Sequence, residues 1–181
     1  ITVTGYGSNL KTLNQECNNL VDQINKNKNN FSPKYLTIKE LDKELLNFNK
    51  LKKPIVITDP SDNVGGGALG DNIEILELLV KKKLPGTIVI WSPFLKEKKY
   101  EGKLFDGYIG SNLIKNSKKL IKIKGDIIFN KQNFSYVRDG LYMTGQYVNM
   151  GNVLVVETKF KLKIVLTENR VMPFDDKHIK V

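Results

Sequence analysis

The feature that most limits the fold is a glycine loop set between an apolar run and an amphipathic helix. Residues 54–59, PIVITD, are continuously apolar and β-branched, which predicts a strand buried on both faces. The loop DPSDNVGGGALGD follows at 59–71, and the stripe of Ile73, Leu76, Leu79 and Val80 predicts a helix capped by Asp71. TIVIW at 87–91 predicts a second buried strand. This order predicts a βαβ unit with parallel strands and the glycine loop at the carboxyl end of the first strand.

Two helices are predicted before this unit. Ser8 can cap a helix whose apolar positions from Leu10 to Ile24 fall three and four residues apart, with Cys17 on the inner face as a small core residue. Thr37 and Glu40 predict a capping box for a helix over 37–48. The opening ITVTGYG resembles a strand already in progress, so we expect the chain to be a piece of a longer protein.

After residue 100 the pattern changes to short alternating or β-branched runs separated by Gly, Asn and Asp. Such runs are typical of antiparallel strands and hairpins. The predicted fold class is therefore α/β, with a βαβ unit that carries the glycine loop, followed by a mainly antiparallel β region. We divide the chain into a strand and helical lead-in at 1–53 and a main domain at 54–181.

Composition excludes several classes of protein. The chain has 181 residues with one Cys and one His, so neither a disulfide framework nor a His-based catalytic metal site can be built from it alone. It has no signal-like order and no apolar run that could cross a bilayer, which favours a soluble cytoplasmic protein without a membrane partner. The net charge of +10 comes from scattered Lys with only two Arg, so we expect no nucleic-acid partner.

The glycine loop allows two interpretations from its residues. Successive glycines let a ligand approach main-chain N–H groups, so the amides of Gly65, Gly66 and Gly67 could hold an anionic or carbonyl group. Alternatively, Asp59, Asp62 and Asp71 could only orient the loop by hydrogen bonds to its own amides. The glycine spacing matches neither the dinucleotide fingerprint nor the P-loop, which weakens the case for a nucleotide site. A stand-alone anion- or nucleotide-binding module is the alternative function.

The exact order of motifs resembles a known family. TDPSDNVGGGALGDNIEILELL is similar to the signature of the C-terminal domain of the microcystinase C (MlrC) family of metallopeptidases. VIWSPF, VNMGNVLVVE and IVLTENRVMPFDDKHI resemble later segments of that domain, and YLTIKELDKEL resembles the segment before the loop. The departures are Val64 and Leu69 in place of proline, Ser92 in place of Asp, and Asp176 in place of proline.

The resemblance implies a function that this chain would share with a further domain. Members are zinc-dependent hydrolases of linear peptides or related amides, with the metal held by an N-terminal domain that this sequence lacks. The chain would then be an accessory, substrate-side domain that closes the cleft and binds no zinc itself. Its partners would be its own N-terminal catalytic domain and a peptide or small amide substrate. The implied substrate-binding residues are Asp59, Asp62, Asn63, Gly65, Gly66, Gly67 and Asp71.

Four other residues allow a structural interpretation. His178 lies among charged residues, and we expect it to be exposed. Arg138 and Asp139 precede a glycine and predict a surface hairpin pair. Arg170 is a candidate either for a structural ion pair or for a substrate contact, and the sequence does not choose between them.

Overall fold

The centre of the fold is a five-stranded sheet in the order β1-β5-β4-β3-β2. Its strands are β1 (Gly86–Trp91), β2 (Leu104–Gly110), β3 (Leu120–Val137), β4 (Tyr147–Glu157) and β5 (Leu162–Thr167). The computed structural model describes residues 2–31, 34–50, 52–97, 100–110, 119–173 and 175–178. The helices are α1 (Leu10–Asn27), α2 (Ile38–Glu44) and α3 (Glu74–Lys82).

Three of the four strand pairings are antiparallel and one is parallel. β2, β3, β4 and β5 pair antiparallel in sequence, and β1 lies parallel to β5 at the edge, with Gly86 opposite Leu162 and Trp91 opposite Thr167. The predicted fold class, α/β with a mainly antiparallel β region, is confirmed.

The two central strands carry the core. Val153, Val155 and Val165 lie with Val148 and Met150 in one apolar cluster. Side chains alternate between the faces of a strand, so Leu154, Val156, Ile164 and Leu166 belong to the opposite face. These four are at most 1% exposed, and the sheet is therefore covered on both faces at β4 and β5.

One predicted element differs from the structure. Residues 54–59 pair with no strand in the described part of the chain, and Val56 is 81% exposed instead of buried. The parallel neighbour of β1 is β5, which is buried along almost its whole length. β-Propensity measures how well side chains fit a pleated, half-buried surface, and the more apolar β5 occupies that place. The predicted βαβ pairing between 54–59 and β1 is therefore wrong, although β1 itself is confirmed.

The chain divides by its internal contacts into residues 1–46 and 47–181. The predicted boundary after residue 53 falls inside the second unit, and the assignment of domains stays a prediction. The family-like segments all lie in the second unit except YLTIKELDKEL.

In the first unit both helices form, with differences at their ends. Asn9 rather than Ser8 caps α1, since its side chain accepts a hydrogen bond from Thr12 N at 3.1 Å. The Thr37–Glu40 capping box is confirmed, with Glu40 Oε2 2.7 Å from Thr37 N. Residues 2–6 form no strand, contrary to the prediction from the opening sequence.

The apolar stripe of α1 is not buried. Leu10 is 72% exposed and Leu20 48% exposed, while Cys17 is half-buried. Helical spacing predicts an amphipathic helix correctly but does not show whether another element covers its apolar face. None of the helices in the described ranges is both long and apolar enough to span a bilayer.

Candidate functional site

Two aspartates hold the glycine loop in shape. Asp59 Oδ1 accepts a hydrogen bond from Ser61 N at 3.0 Å, and its Oδ2 accepts one from Asn72 Nδ2 at 2.9 Å. Asp62 spans the loop, with Oδ1 2.8 Å from Gly70 N and Oδ2 2.7 Å from Asn72 N. Burial by itself raises the pKa of Asp59, but hydrogen bonds from Ser61 and Asn72 outweigh it, so that pKa lies below its ordinary value. Both carboxylates are thus acceptors for the loop itself.

The amides of the three glycines also have acceptors inside the loop. Gly65 N donates to Asn63 Oδ1 at 3.0 Å, Gly66 N donates to Asn63 O at 2.9 Å, and Gly67 N donates to Val64 O at 3.1 Å. The second interpretation of the sequence named Asp59, Asp62 and Asp71 as acceptors for the loop's own amides, and such bonds are present for Asp59 and Asp62. Asn63, which that interpretation did not include, accepts a further one. A ligand that used the glycine amides would first have to displace an internal hydrogen bond.

The glycines of the loop differ in how strongly the fold restricts them. A Cβ atom at Gly65 would collide with the end of the Met172 side chain. Gly67 has a φ of 97° and Gly70 a φ of 80°, backbone conformations that favour glycine. Gly66 has neither restriction, because it lies in a 3-10 turn and its Cβ would meet no atom closer than 3.8 Å, the Asn63 Cβ. The backbone conformation therefore favours glycine at 67 and 70, the Met172 side chain leaves little room at Gly65, and neither reason applies to Gly66.

Two other family-like segments meet at the glycine loop. Trp91 N, at the end of β1, donates to Gly70 O at 2.7 Å. The Trp91 indole Nε1 donates to Glu168 O at 2.9 Å, in the segment that follows β5. Met172, later in the same segment, packs on Gly65. The glycine loop thus lies at the carboxyl ends of β1 and β5, the parallel pair, where open α/β sheets bind their ligands.

An irregular stretch of β4, where its register with β3 shifts, adds a fourth segment. Gly151 has a φ of 68°, and its N–H donates to Asn149 Oδ1 at 2.8 Å. Glu168 Oε2 accepts from Asn152 N at 3.0 Å, and Asn169 Nδ2 donates to Asn149 O at 3.2 Å. These bonds fix the segment after β5 against residues 149–152 of β4.

The segments that meet at the glycine loop all lie within one match to a protein family. A protein-family model described as MlrC C-terminus matches residues 57–181, well over half of the chain. The chain belongs to the MlrC C-terminus family. The predicted resemblance is thereby confirmed, and the glycine loop lies entirely within the matched residues.

A solved structure shares the fold. It is the crystal structure of a candidate metallopeptidase from Mesorhizobium sp. BNC1, with a TM-score of 0.71 and 18% sequence identity. The match covers 87% of this chain and 32% of that chain, so this MlrC C-terminus chain spans about a third of the solved protein. No curated protein matches the sequence.

Asp71, at the end of the loop, and Ser92, directly after β1, are both buried. Asp71 does not cap α3, which begins at Glu74 with Asn72 Oδ1 3.1 Å from Glu74 N. The Asp62 carboxylate holds Gly70 and Asn72 within the loop, so the helix can begin only after them. The Asp71 side chain is buried, with 7% of the residue exposed, and it makes no cap for α3. Ser92, which replaces the family's Asp, is fully buried, and its hydroxyl has no hydrogen-bond partner in the described part of the chain.

A second polar cluster contradicts two predictions. His178 is 0% exposed and Arg138 5% exposed, although both were expected at the surface. Tyr136 Oη lies 3.4 Å from His178 Nδ1. Burial first, and then the positive charge of Arg138, lower the pKa of His178 to about 4, while the Asp175 carboxylate opposes this shift. The neutral imidazole is the form present at neutral pH.

Sequence reasoning missed this cluster because its members are far apart along the chain. Asp175 Oδ2 accepts from Asp139 N at 3.3 Å, and Lys177 Nζ lies 2.7 Å from Asp139 Oδ2, so the closing segment packs on the hairpin after β3. The only signal in the sequence was Arg138 itself, one of two arginines in a chain that otherwise uses lysine. Phe174 and the Asp176 side chain of the family-like closing motif lie outside the described residues.

The side chains in the described part of the chain do not fit a metal centre. Within the ranges that the structure describes, no group of three or more His, Cys, Asp or Glu side chains is placed to hold a metal ion. The two loop aspartates direct their oxygens at main-chain and side-chain donors of the loop. We therefore derive no chemical step through a metal held by these residues.

Proposed function

We propose that this chain is the substrate-side domain of a zinc-dependent metallopeptidase or related amide hydrolase. Membership of the MlrC C-terminus family and the fold shared with a candidate metallopeptidase support a role in such an enzyme. In this proposal the zinc is held by an N-terminal catalytic domain, which is the partner of this chain, and the substrate is a linear peptide or small amide.

The observation that carries the proposal is the unexplained glycine at position 66. The fold requires no glycine there, and Gly66 is exposed, with only the Asn63 side chain at ordinary contact distance from the place of a Cβ atom. A residue without a side chain at such a place permits close approach of another molecule. We assign that approach to the substrate, which would lie along the exposed side of Gly66 and Gly67 at the carboxyl ends of β1 and β5.

The other predicted site residues have supporting roles in this proposal. Asp59, Asp62 and Asn63 accept the hydrogen bonds that hold the loop closed. Gly65 allows the loop to pack on Met172. Asp71 lies buried at the end of the loop. The loop then acts as a rigid surface that positions substrate relative to the catalytic domain, and precise positioning contributes several orders of magnitude to enzymatic rates.

The alternative function, a stand-alone anion- or nucleotide-binding module, has less support. Such a loop would present free amides to phosphate oxygens, whereas the amides of Gly65, Gly66 and Gly67 all donate within the loop. A module of this kind gains stability when its ligand binds the folded state. Inorganic phosphate, ATP and acetate should therefore leave the unfolding midpoint of the protein unchanged.

The test uses the intact protein encoded by the full reading frame. Hydrolysis of linear peptides is measured with zinc and with a chelator, and Gly66→Leu is compared with Lys159→Leu. Lys159 is exposed in the β4–β5 turn, at the opposite end of β5, so both variants add one exposed leucine. We expect kcat/KM to fall about 10- to 100-fold for Gly66→Leu alone, with equal unfolding midpoints. Chelator-resistant hydrolysis, or full activity of Gly66→Leu, would refute the proposal.

A further inference from the structure

Arg170 is an exposed cation on the segment that follows β5. It forms no hydrogen bond or ion pair with any residue that the structure describes. The sequence left open whether Arg170 makes a structural ion pair or contacts a substrate. The structure provides no intramolecular partner for it, which removes the first explanation within the described residues.

The segment around Arg170 is held by main-chain hydrogen bonds before it and by a side-chain contact after it. Glu168 N donates to Asn152 O at 2.9 Å and Asn169 N donates to Met150 O at 3.0 Å. Two residues beyond Arg170, Met172 packs on Gly65 of the glycine loop. The guanidinium is therefore carried by an ordered backbone next to the loop, while its own side chain is exposed.

The type of residue matters at this position. The chain has 29 basic residues, of which only Arg138 and Arg170 are arginine, and Arg138 is buried. Arginine presents a planar fork of donors that matches a carboxylate through two parallel hydrogen bonds, which the point charge of lysine does not. The amides of Gly65, Gly66 and Gly67 already have acceptors within the loop, so a carboxylate would have to displace them.

We propose that Arg170 binds a carboxylate of the substrate and so determines specificity for acidic linear peptides. This inference rests on the proposed function, since it places the substrate along the glycine loop. The carboxylate is either the free C-terminus of the peptide or an acidic side chain. Both present the same chemical group to the guanidinium, and the experiment below distinguishes them. Arg170 would bind and orient the substrate without taking part in bond cleavage.

The experiment uses the full-length protein and three forms of one linear peptide. The first has a free C-terminal acid and one Glu, the second has a C-terminal amide, and the third has Gln in place of Glu. Binding to chelator-treated protein is measured by calorimetry, and kcat/KM is measured on zinc-loaded protein. The variants are Arg170→Gln, Arg170→Lys and the control Lys159→Gln, which removes an exposed cation from the far end of β5.

We expect the wild-type protein to bind the first peptide about 10- to 100-fold more tightly than one of the two neutralised forms. The form that loses affinity identifies the carboxylate. Arg170→Gln should abolish this preference, Arg170→Lys should retain part of it, and Lys159→Gln should leave it unchanged. Equal unfolding midpoints would show that the variants are folded, as expected for an exposed side chain.

Two results would overturn the inference. One is a wild-type protein that binds all three peptides equally, and the other is a preference that survives in Arg170→Gln. The proposed function fails separately, when zinc-loaded protein hydrolyses none of the peptides. Carboxylate-dependent binding to the chelator-treated protein would still be measured in that case, so the two failures are distinguishable.

Discussion

The indole nitrogen of Trp91 donates a hydrogen bond to the main-chain oxygen of Glu168 at 2.9 Å. Trp91 ends β1, and Glu168 directly follows β5, so the bond joins the ends of the two parallel strands. The Trp91 main chain also binds Gly70 O at 2.7 Å. One residue thus links the glycine loop to the segment that carries Arg170.

Trp91→Phe should weaken this link while keeping an aromatic ring in place. The change removes one side-chain hydrogen bond and leaves Glu168 O without that donor. We expect the free energy of unfolding to fall by about 1–3 kcal/mol. Urea unfolding followed by circular dichroism measures the change, since the variant lacks the tryptophan fluorophore. Phe105→Leu, a core change away from the loop, should destabilise the protein without altering peptide hydrolysis, whereas Trp91→Phe should lower both.

Asp62→Ala should open the glycine loop. Its two oxygens accept from Gly70 N and Asn72 N, and the variant leaves both partly buried donors without acceptors. We expect a loss of about 2–4 kcal/mol in the free energy of unfolding. Asp106→Ala is the matched control, because Asp106 lies in an exposed pair with Lys122 at 3.3 Å, and such pairs contribute at most about 1 kcal/mol. Equal losses in the two variants would contradict the assigned role of Asp62.

Three glycine-to-alanine variants should separate the roles of adjacent residues. Gly67→Ala forces a side chain into a positive φ and should cost about 1 kcal/mol. Gly65→Ala forces only the flexible end of the Met172 side chain to move and should cost up to about 1 kcal/mol. Gly66→Ala meets no atom closely and should be neutral or stabilising by up to about 1 kcal/mol, because it lowers the entropy of the unfolded chain. Urea unfolding of the series tests this order, and a strongly destabilised Gly66→Ala would show that the fold does need this glycine.

His178 should make the stability of the protein sensitive to mild acid. Its pKa falls from 6.5 to about 4 on folding, so the unfolded chain takes up the proton first as the pH drops. The neutral imidazole contributes about 3 kcal/mol to the free energy of unfolding above about pH 6.5. This contribution is lost as the pH falls toward 4. Asp59, whose folded pKa lies below 3.8, loses its contribution at lower pH, so the two effects separate.

The test of this assignment is how the free energy of unfolding of His178→Gln changes with pH, and not its value at one pH. The variant removes the titrating group, so its free energy of unfolding should change less between pH 7 and pH 5 than that of the wild type. Urea unfolding across this range measures both slopes. Parallel slopes would show that another group governs the acid response.

Part of the fold follows from local sequence. The Thr37–Glu40 capping box, α1, β1 and the antiparallel strands are specified by side chains within a few residues of one another, and each forms as predicted. The order of motifs around the glycine loop also identifies the family without any structure. These features depend on spacing along the chain, which the sequence contains directly.

The tertiary structure decided the features that depend on which distant segments meet. The apolar run at 54–59 predicts a strand, yet β5, whose residues are almost all buried, lies beside β1 instead. The glycine amides are occupied because Asn63 and Val64 turn their oxygens toward them. His178 and Arg138 are buried because the closing segment packs on the hairpin after β3. Local propensity is a property of neighbouring residues, whereas burial and pairing are set by competition among all segments of the chain.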